Sequence, residues 1–178
     1  FENIESNMAD VLKKDIGLLE SIISKTSACK VKLLDPDPYE ADLKRPLNFG
    51  HTIGHAVEKE ESYRRIRHGE AVAVGMAVAT QIALSRGSCS MEVGHRIIGL
   101  LKRIGLPTYS RVPSEKIWDA IAVIRMIRDG NLYFVLPGTS FGQVIITNDV
   151  TESEVLNAMN LLKEDSMDTG VQKCGLNS

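Results

Sequence analysis

Three of the four histidines lie within a short stretch of the chain. His51 and His55 are four residues apart in one predicted helix, and His68 begins the next. Residues four apart share a helix face, and an imidazole from a neighbouring helix end can converge with them. Because imidazole nitrogens are common ligands of divalent metals, the spacing indicates a metal site. A plain pair of core or surface histidines is the alternative that spacing leaves open.

Further polar residues precede these histidines. The residues Glu40, Lys44, Asn48, His51 and His55 follow one another at intervals of four, four, three and four. One uninterrupted helix would therefore carry all five on one stripe. Pro46 interrupts that continuity. A carboxylate, a cation, an amide and imidazoles buried together would shift one another's pKa values, as in active sites. The alternative is a solvated helix face, and Lys30 is likewise either a solvated lysine or a cation directed at the same cleft.

Glycines stand beside each of the three histidines. Gly50, Gly54 and Gly69 occupy these positions. Glycine inside a helix costs about 1 kcal/mol relative to alanine, so helix stability does not explain them. We expect them to relieve crowding where the backbone approaches a bound ligand.

The elements that must position these residues are mainly helices. Apolar periodicity predicts about six helices, and LYFVLP and QVIIT predict one small β-hairpin. The helix that starts at His68 is rich in Ala and Val and is expected to be buried on most sides. Thr151 and Glu154 form a capping-box pattern before the last helix. We predict a mainly α fold, with one helical metal- and substrate-binding domain over residues 1–164 and a flexible tail over 165–178.

Composition excludes several classes of function. The 178 residues are 43% hydrophobic, which suffices for one buried core, but no apolar run reaches the roughly 18 residues of a membrane span. A net charge of −2 offers no field for nucleic acid or an anionic membrane. Three dispersed cysteines without a CxxC pattern favour a reducing cytoplasm. No G-x-G-x-x-G opens a βαβ unit, so we expect no Rossmann domain in this chain.

Two sequence blocks resemble a known family. LNFGHTIGHAVE at 47–58, then Tyr63, then HGEAVAVGM at 68–76 closely resemble the signature of 3-dehydroquinate synthases and the wider sugar-phosphate cyclases. Lys30 stands ten residues before Glu40, as in that family, and GLLKRIGLPT and DGNLYFVLP are similar to its later helix and hairpin. The resemblance covers roughly residues 1–162 and corresponds to the family's C-terminal domain.

The resemblance implies a lyase of the shikimate pathway, which leads to the aromatic amino acids. The family converts 3-deoxy-D-arabino-heptulosonate 7-phosphate, a small sugar phosphate, to 3-dehydroquinate with elimination of phosphate. NAD transiently oxidises a ring hydroxyl, and Zn²⁺ or Co²⁺, held by one glutamate and two histidines, polarises the substrate. Carried over by position, the resemblance implies that His51 and His68 are metal ligands. It implies that His55 transfers protons, with Glu40 close by. The substrate contacts that it implies are Lys30, Lys44, Asn48 and Arg125.

Departures from the family pattern leave the substrate open. Lys44 replaces the usual arginine, and Ile124-Arg125-Met126 replaces an Asp-Lys-Lys run, so Arg125 is the one cation kept there. In the family, the glutamate ligand and an NAD-binding domain precede the position of Phe1. We therefore expect this chain to be a C-terminal half that needs an N-terminal NAD-binding half for activity, with a homodimer as a possible assembly.

Three other functions compete with this interpretation. One is a different sugar-phosphate cyclase. Another is a fragment of a metal-dependent NAD polyol dehydrogenase, against which Asn48 and Glu40 argue. The third is a non-catalytic helical binding module. Phosphate release without net NAD reduction distinguishes a cyclase from a dehydrogenase.

Overall fold

A computed structural model of the chain describes residues 1–37, 46–62, 65–127, 130 and 132–174. It divides into two compact units, residues 1–47 and 48–178. Eight α-helices and one two-stranded antiparallel sheet lie in the described ranges. The predicted mainly α fold with one β-hairpin is confirmed. Within those ranges, no helix combines the length and the apolar character that crossing a bilayer requires.

The first unit consists of three helices, α1 (Glu2–Ser6), α2 (Met8–Leu12) and α3 (Ile16–Leu34). Asp15 caps α3, because its side chain accepts a hydrogen bond of 2.8 Å from the backbone N–H of Leu18. Apolar periodicity predicts that the first thirty residues are mainly helical, and they are. The helices are interrupted at Asn7 and again before Asp15, where Lys14 has a φ of 61°. The end of α3 falls just before Pro36, as the two closely spaced prolines predict.

The second unit contains the remaining elements, and a 3₁₀ turn (Pro46–Asn48) marks its boundary with the first. These elements are α4 (His51–Glu60), α5 (His68–Ser85), α6 (Met91–Ile104), α7 (Ser114–Ile127), β1 (Phe134–Pro137), β2 (Val144–Thr147) and α8 (Glu152–Cys174). β1 and β2 pair antiparallel, with Phe134 opposite Thr147 and Pro137 opposite Val144. α5 is central, since it contacts α4, α6, α8 and β1, while α7 packs on α4 and α8.

The Ala- and Val-rich helix α5 forms the core of this unit, as its composition predicts. Ten of its residues are buried, and nearly all of them are small. Thr80 is the one polar residue among the ten, and its hydroxyl donates a hydrogen bond of 2.7 Å to the carbonyl of Met76. Small side chains let neighbouring helices approach closely from several directions, which explains why α5 contacts four other elements.

α4 and α5 approach each other at backbone distance. Gly50 precedes α4 with a φ of +80°, a conformation that favours glycine. A Cβ atom on Gly75 would lie 1.9 Å from the carbonyl oxygen of Gly50, and one on Gly54 would lie 3.0 Å from Cα of Val72. Gly50 and Gly54 therefore make room for α5, not for a ligand as we predicted. A Cβ on Gly69 would have no neighbour within 4 Å, so crowding does not account for that glycine.

An ion-pair network joins the end of α5 to the start of α8. The guanidinium of Arg86 donates to both carboxylate oxygens of Glu154, at 2.5 and 2.9 Å, and to Asp149 at 2.8 Å. These hydrogen bonds outweigh burial and lower the pKa of Glu154 to about 2. Glu154 also accepts the backbone N–H of Thr151 at 2.9 Å, which forms the glutamate half of the predicted capping box.

Two boundaries in the structure concern the predicted domain. α8 continues to Cys174. The chain divides into two compact units after Leu47, and the domain over 1–164 with a flexible tail over 165–178 stays a prediction. In the first unit, Met8 is the one buried residue among those described, so α3 contributes no buried side chain to a core of its own unit.

Replacing Gly75 by Ala tests the α4–α5 contact. Since the added methyl would overlap the Gly50 carbonyl, we expect Gly75→Ala to lower the free energy of unfolding by about 3 kcal/mol. Gly69→Ala in the same helix is the matched control and should be neutral or stabilising by about 0.5 to 1 kcal/mol. Urea denaturation followed by circular dichroism measures both. Equal stability of the two variants would contradict the contact.

The Arg86–Glu154 pair predicts a pH dependence of stability. Because the pKa of Glu154 falls from 4.5 to about 2 on folding, the pair stabilises the fold fully above pH 4.5. Its contribution, about 2 kcal/mol, is lost as the pH falls toward 2. Denaturation curves recorded between pH 6 and pH 2 give the free energy of unfolding at each pH. As the pH falls, this free energy should decrease more steeply for the wild type than for Glu154→Gln. Glu152→Gln, on the same helix turn, should keep the wild-type slope.

Candidate metal and proton-transfer site

The three predicted histidines meet at one place. The ring centroids of His51 and His55 are 5.7 Å apart, and each lies 5.6 Å from the centroid of His68. The side chains of His55 and His68 are 51% and 56% exposed, so the triangle of rings opens to the surface. Two histidines on one helix face therefore lie next to a histidine at the start of the following helix, which is the arrangement that the spacing predicts.

Local structure and one tertiary contact together bring the rings into this position. His51 is the first residue of α4, and His55 follows one turn later on the same face. His68 is the first residue of α5, which the glycine contact holds against α4. The carboxylate of Glu70 caps α5 by accepting the backbone N–H of Arg67 at 2.8 Å. Glu70 is thus engaged in helix capping.

A buried carboxylate lies between two of the histidines. Glu58 is 8% exposed, and its Oε2 is 3.1 Å from Nδ1 of His55 while its Oε1 is 3.1 Å from Nδ1 of His68. Burial opposes ionisation of this carboxyl, but the hydrogen bonds from the two imidazoles prevail and lower its pKa. We did not single out Glu58 from the sequence. Its place three residues after His55, on the same helix face, was the available indication.

The donor atoms suit a borderline-soft divalent cation. Nδ1 of His51 lies 3.3 Å from the carbonyl oxygen of Phe49, and Nδ1 of His68 faces Glu58. With both Nδ1 atoms engaged, the Nε2 atoms of His51 and His68 are the available ligand atoms, and neutral imidazoles of this kind fit Zn²⁺ or Co²⁺. A second set shares His68: ligand atoms of His55, Glu58 and His68 all lie within 4.8 Å of one another.

Asn48 does not share a helix with His51 and His55. It is half-buried and ends the 3₁₀ turn, and the left-handed Gly50 separates it from α4. Lys30 is exposed on α3, within the first unit. Three further residues of the predicted site and motif lie outside the described residues: Glu40, Lys44 and Tyr63.

Arg125 makes its contacts at the C-terminal side of the hairpin. Its Nη2 donates to the backbone carbonyls of Val150 at 3.1 Å and Asn148 at 3.5 Å, and its guanidinium carbon lies 5.5 Å from the centre of the Trp118 ring. These contacts tie α7 to the segment that leads into α8. A contact between Arg125 and substrate stays a prediction.

Comparison with known proteins places these residues in a family context. The model of the 3-dehydroquinate synthase C-terminal family matches residues 1–126. The chain is 45% identical over 168 residues to 2-epi-valiolone synthase of Actinosynnema mirum, covering 92% of this chain and 44% of that enzyme. It is 40% identical over 160 residues to 3-dehydroquinate synthase of Thermoanaerobacter pseudethanolicus, covering 89% and 44%.

Solved structures give the same picture. A 2-epi-5-epi-valiolone synthase of Streptomyces hygroscopicus with bound NAD⁺ and Zn²⁺ superposes with a TM-score of 0.84 at 26% identity, over 92% of this chain and 46% of that one. A 2-deoxy-scyllo-inosose synthase complexed with carbaglucose-6-phosphate, NAD⁺ and Co²⁺ gives 0.64 at 28% identity, over 80% and 41%. The chain spans about half the length of the curated relatives it matches.

Metal titration tests the assignment of ligands. We expect His51→Ala and His68→Ala each to weaken Co²⁺ binding by about tenfold or more, because each removes one of the two predicted histidine ligands. Visible absorption of bound Co²⁺ reports the affinity. His95→Ala, which removes an exposed histidine on α6, is the control and should leave the affinity unchanged. Unchanged binding by His51→Ala would exclude His51 as a ligand.

Proposed function

Because the chain belongs to the 3-dehydroquinate synthase C-terminal family, we propose that it is the metal- and substrate-binding half of a sugar-phosphate cyclase. The observation that carries the proposal is the triangle of His51, His55 and His68 on the two motif blocks. The curated relatives include 3-dehydroquinate synthases and 2-epi-valiolone synthases. Family membership and the geometry of the three histidines together support the proposal.

We propose a division of roles among the three histidines. His51 and His68 would hold a Zn²⁺ or Co²⁺ ion through Nε2, and that ion would supply Lewis-acid polarisation of substrate hydroxyls. His55 moves the proton. Its Nδ1 is directed at Glu58, so Nε2 is the atom that accepts a proton from the substrate, and the Glu58 carboxylate stabilises the imidazolium that results. Asn48, Lys30, Lys44 and Arg125 remain the proposed substrate contacts, and Glu40 the proposed partner of His55.

The first candidate reaction is that of 3-dehydroquinate synthase. In it, 3-deoxy-D-arabino-heptulosonate 7-phosphate loses phosphate and closes to 3-dehydroquinate, a lyase-type step of the shikimate pathway in the cytoplasm. NAD, present in both solved neighbours, would be bound by an N-terminal half like that of the full-length relatives.

A second candidate is the formation of 2-epi-valiolone. Two observations favour it: the 45% identity to the Actinosynnema mirum enzyme, and the residues that depart from the 3-dehydroquinate synthase pattern, Lys44 and Ile124-Arg125-Met126. Lysine keeps the charge of arginine but lacks its two-pronged hydrogen-bond donor for a carboxylate. A substrate without the carboxylate of 3-deoxy-D-arabino-heptulosonate 7-phosphate would therefore suit Lys44.

A reconstituted enzyme tests the proposal. We expect the chain, combined with the NAD-binding half of the Thermoanaerobacter pseudethanolicus synthase, to release phosphate without accumulating NADH. Mass spectrometry identifies the product as 3-dehydroquinate or 2-epi-valiolone. His55→Ala should slow phosphate release by about 10² to 10⁴-fold, as expected for loss of a general acid–base group. His95→Ala should keep the wild-type rate.

Two outcomes would overturn the proposal. Accumulating NADH would identify a polyol dehydrogenase. Absence of phosphate release, from a mixture in which the relative's own C-terminal half restores activity, would favour a non-catalytic module.

A further inference from the structure

We propose that Glu58 is the positioning residue that orients the metal ligand His68 and the proton-transfer residue His55 at the same time. The roles of the two histidines rest on the proposed function. The geometry of Glu58 itself does not.

The hydrogen bonds determine which nitrogen of each ring carries the proton. An ionised carboxylate only accepts hydrogen bonds, so both Nδ1 atoms facing it must be donors. Each oxygen of Glu58 takes one ring, at 3.1 Å in both cases. Neutral His55 and His68 are therefore held as the Nδ1–H tautomer, which leaves the Nε2 lone pair of each ring directed away from the carboxylate.

Burial supports a positioning role. Glu58 is 8% exposed, whereas the side chains of His55 and His68 are more than half exposed. The carboxylate therefore lies beneath the two rings. Substrate and metal would bind on the opposite side of the rings, which faces solvent. Carboxylates in this relation to a metal-bound histidine fix ring orientation and raise ligand basicity.

One carboxylate also couples the two histidines. The proton-transfer group and the metal ligand thus share one acceptor that belongs to α4, ten residues from His68 in the sequence.

Direct metal binding by Glu58 is the competing interpretation, since His55, Glu58 and His68 could together hold an ion. The observed pairing argues against it. Each Nδ1 approaches a different oxygen, which is the pattern of two separate hydrogen bonds, and an ion at that position would leave His51 without a role although its ring lies 5.6 Å from that of His68.

Nitrogen NMR of the metal-free 178-residue chain tests the tautomers without any activity. We expect Nδ1–H for His55 and His68 in the wild type. Glu58→Gln can accept from one ring only, because its amide nitrogen is a donor, so one histidine should change to Nε2–H. Glu58→Ala should release both rings. Glu60→Gln removes a charge from another face of α4 and should change neither. Nε2–H tautomers of both rings in the wild type would overturn the proposal.

Cobalt titration separates positioning from direct ligation. Glu58→Ala should weaken Co²⁺ binding by about 10- to 100-fold, Glu58→Asp should restore part of it, and His55→Ala should leave it nearly unchanged. Loss of Co²⁺ binding in His55→Ala as complete as in Glu58→Ala would place the ion on Glu58 and overturn the proposal. If the reconstituted enzyme releases no phosphate, the wild-type tautomers still test the role of Glu58, so the two failures are distinguishable.

Discussion

The contact between the backbones of α4 and α5 is the constraint on which the second unit depends. Gly75 lies so close to the Gly50 carbonyl that no side chain fits between them. This contact sets the separation of the two helices whose first residues are His51 and His68. The same α5 forms the core with four other elements, so the position of the site and the packing of the unit follow from one helix.

The second determining interaction is electrostatic and buried. Glu58 would be costly to bury as an isolated charge, and the imidazole N–H groups of His55 and His68 offset that cost. In exchange, the carboxylate restricts both rings to one orientation. The site therefore combines a rigid helix pair with a polar group that has both of its oxygens satisfied, a combination suited to holding a metal ion and moving a proton on adjacent rings.

Sequence patterns predicted the elements of the second unit well because local interactions decide them. Apolar periodicity indicates α6, and a left-handed glycine, Gly105, follows its last residue. The bonds from Arg86 to Glu154 were not predictable, because they join residues 68 positions apart. The exact helix ends in the first unit, such as the interruption at Asn7, were also left open, since weak periodicity leaves helix ends to small local differences.

The sequence by itself determined the residues that can do chemistry, because the four-residue spacing of His51 and His55 and the motif around His68 are local properties. It also carried the family resemblance. Only the tertiary structure decided that Gly50 and Gly54 serve helix packing, and that Glu58 joins His55 to His68. These features depend on how two helices cross, and a crossing is set by side chains and backbone atoms that are distant in the chain.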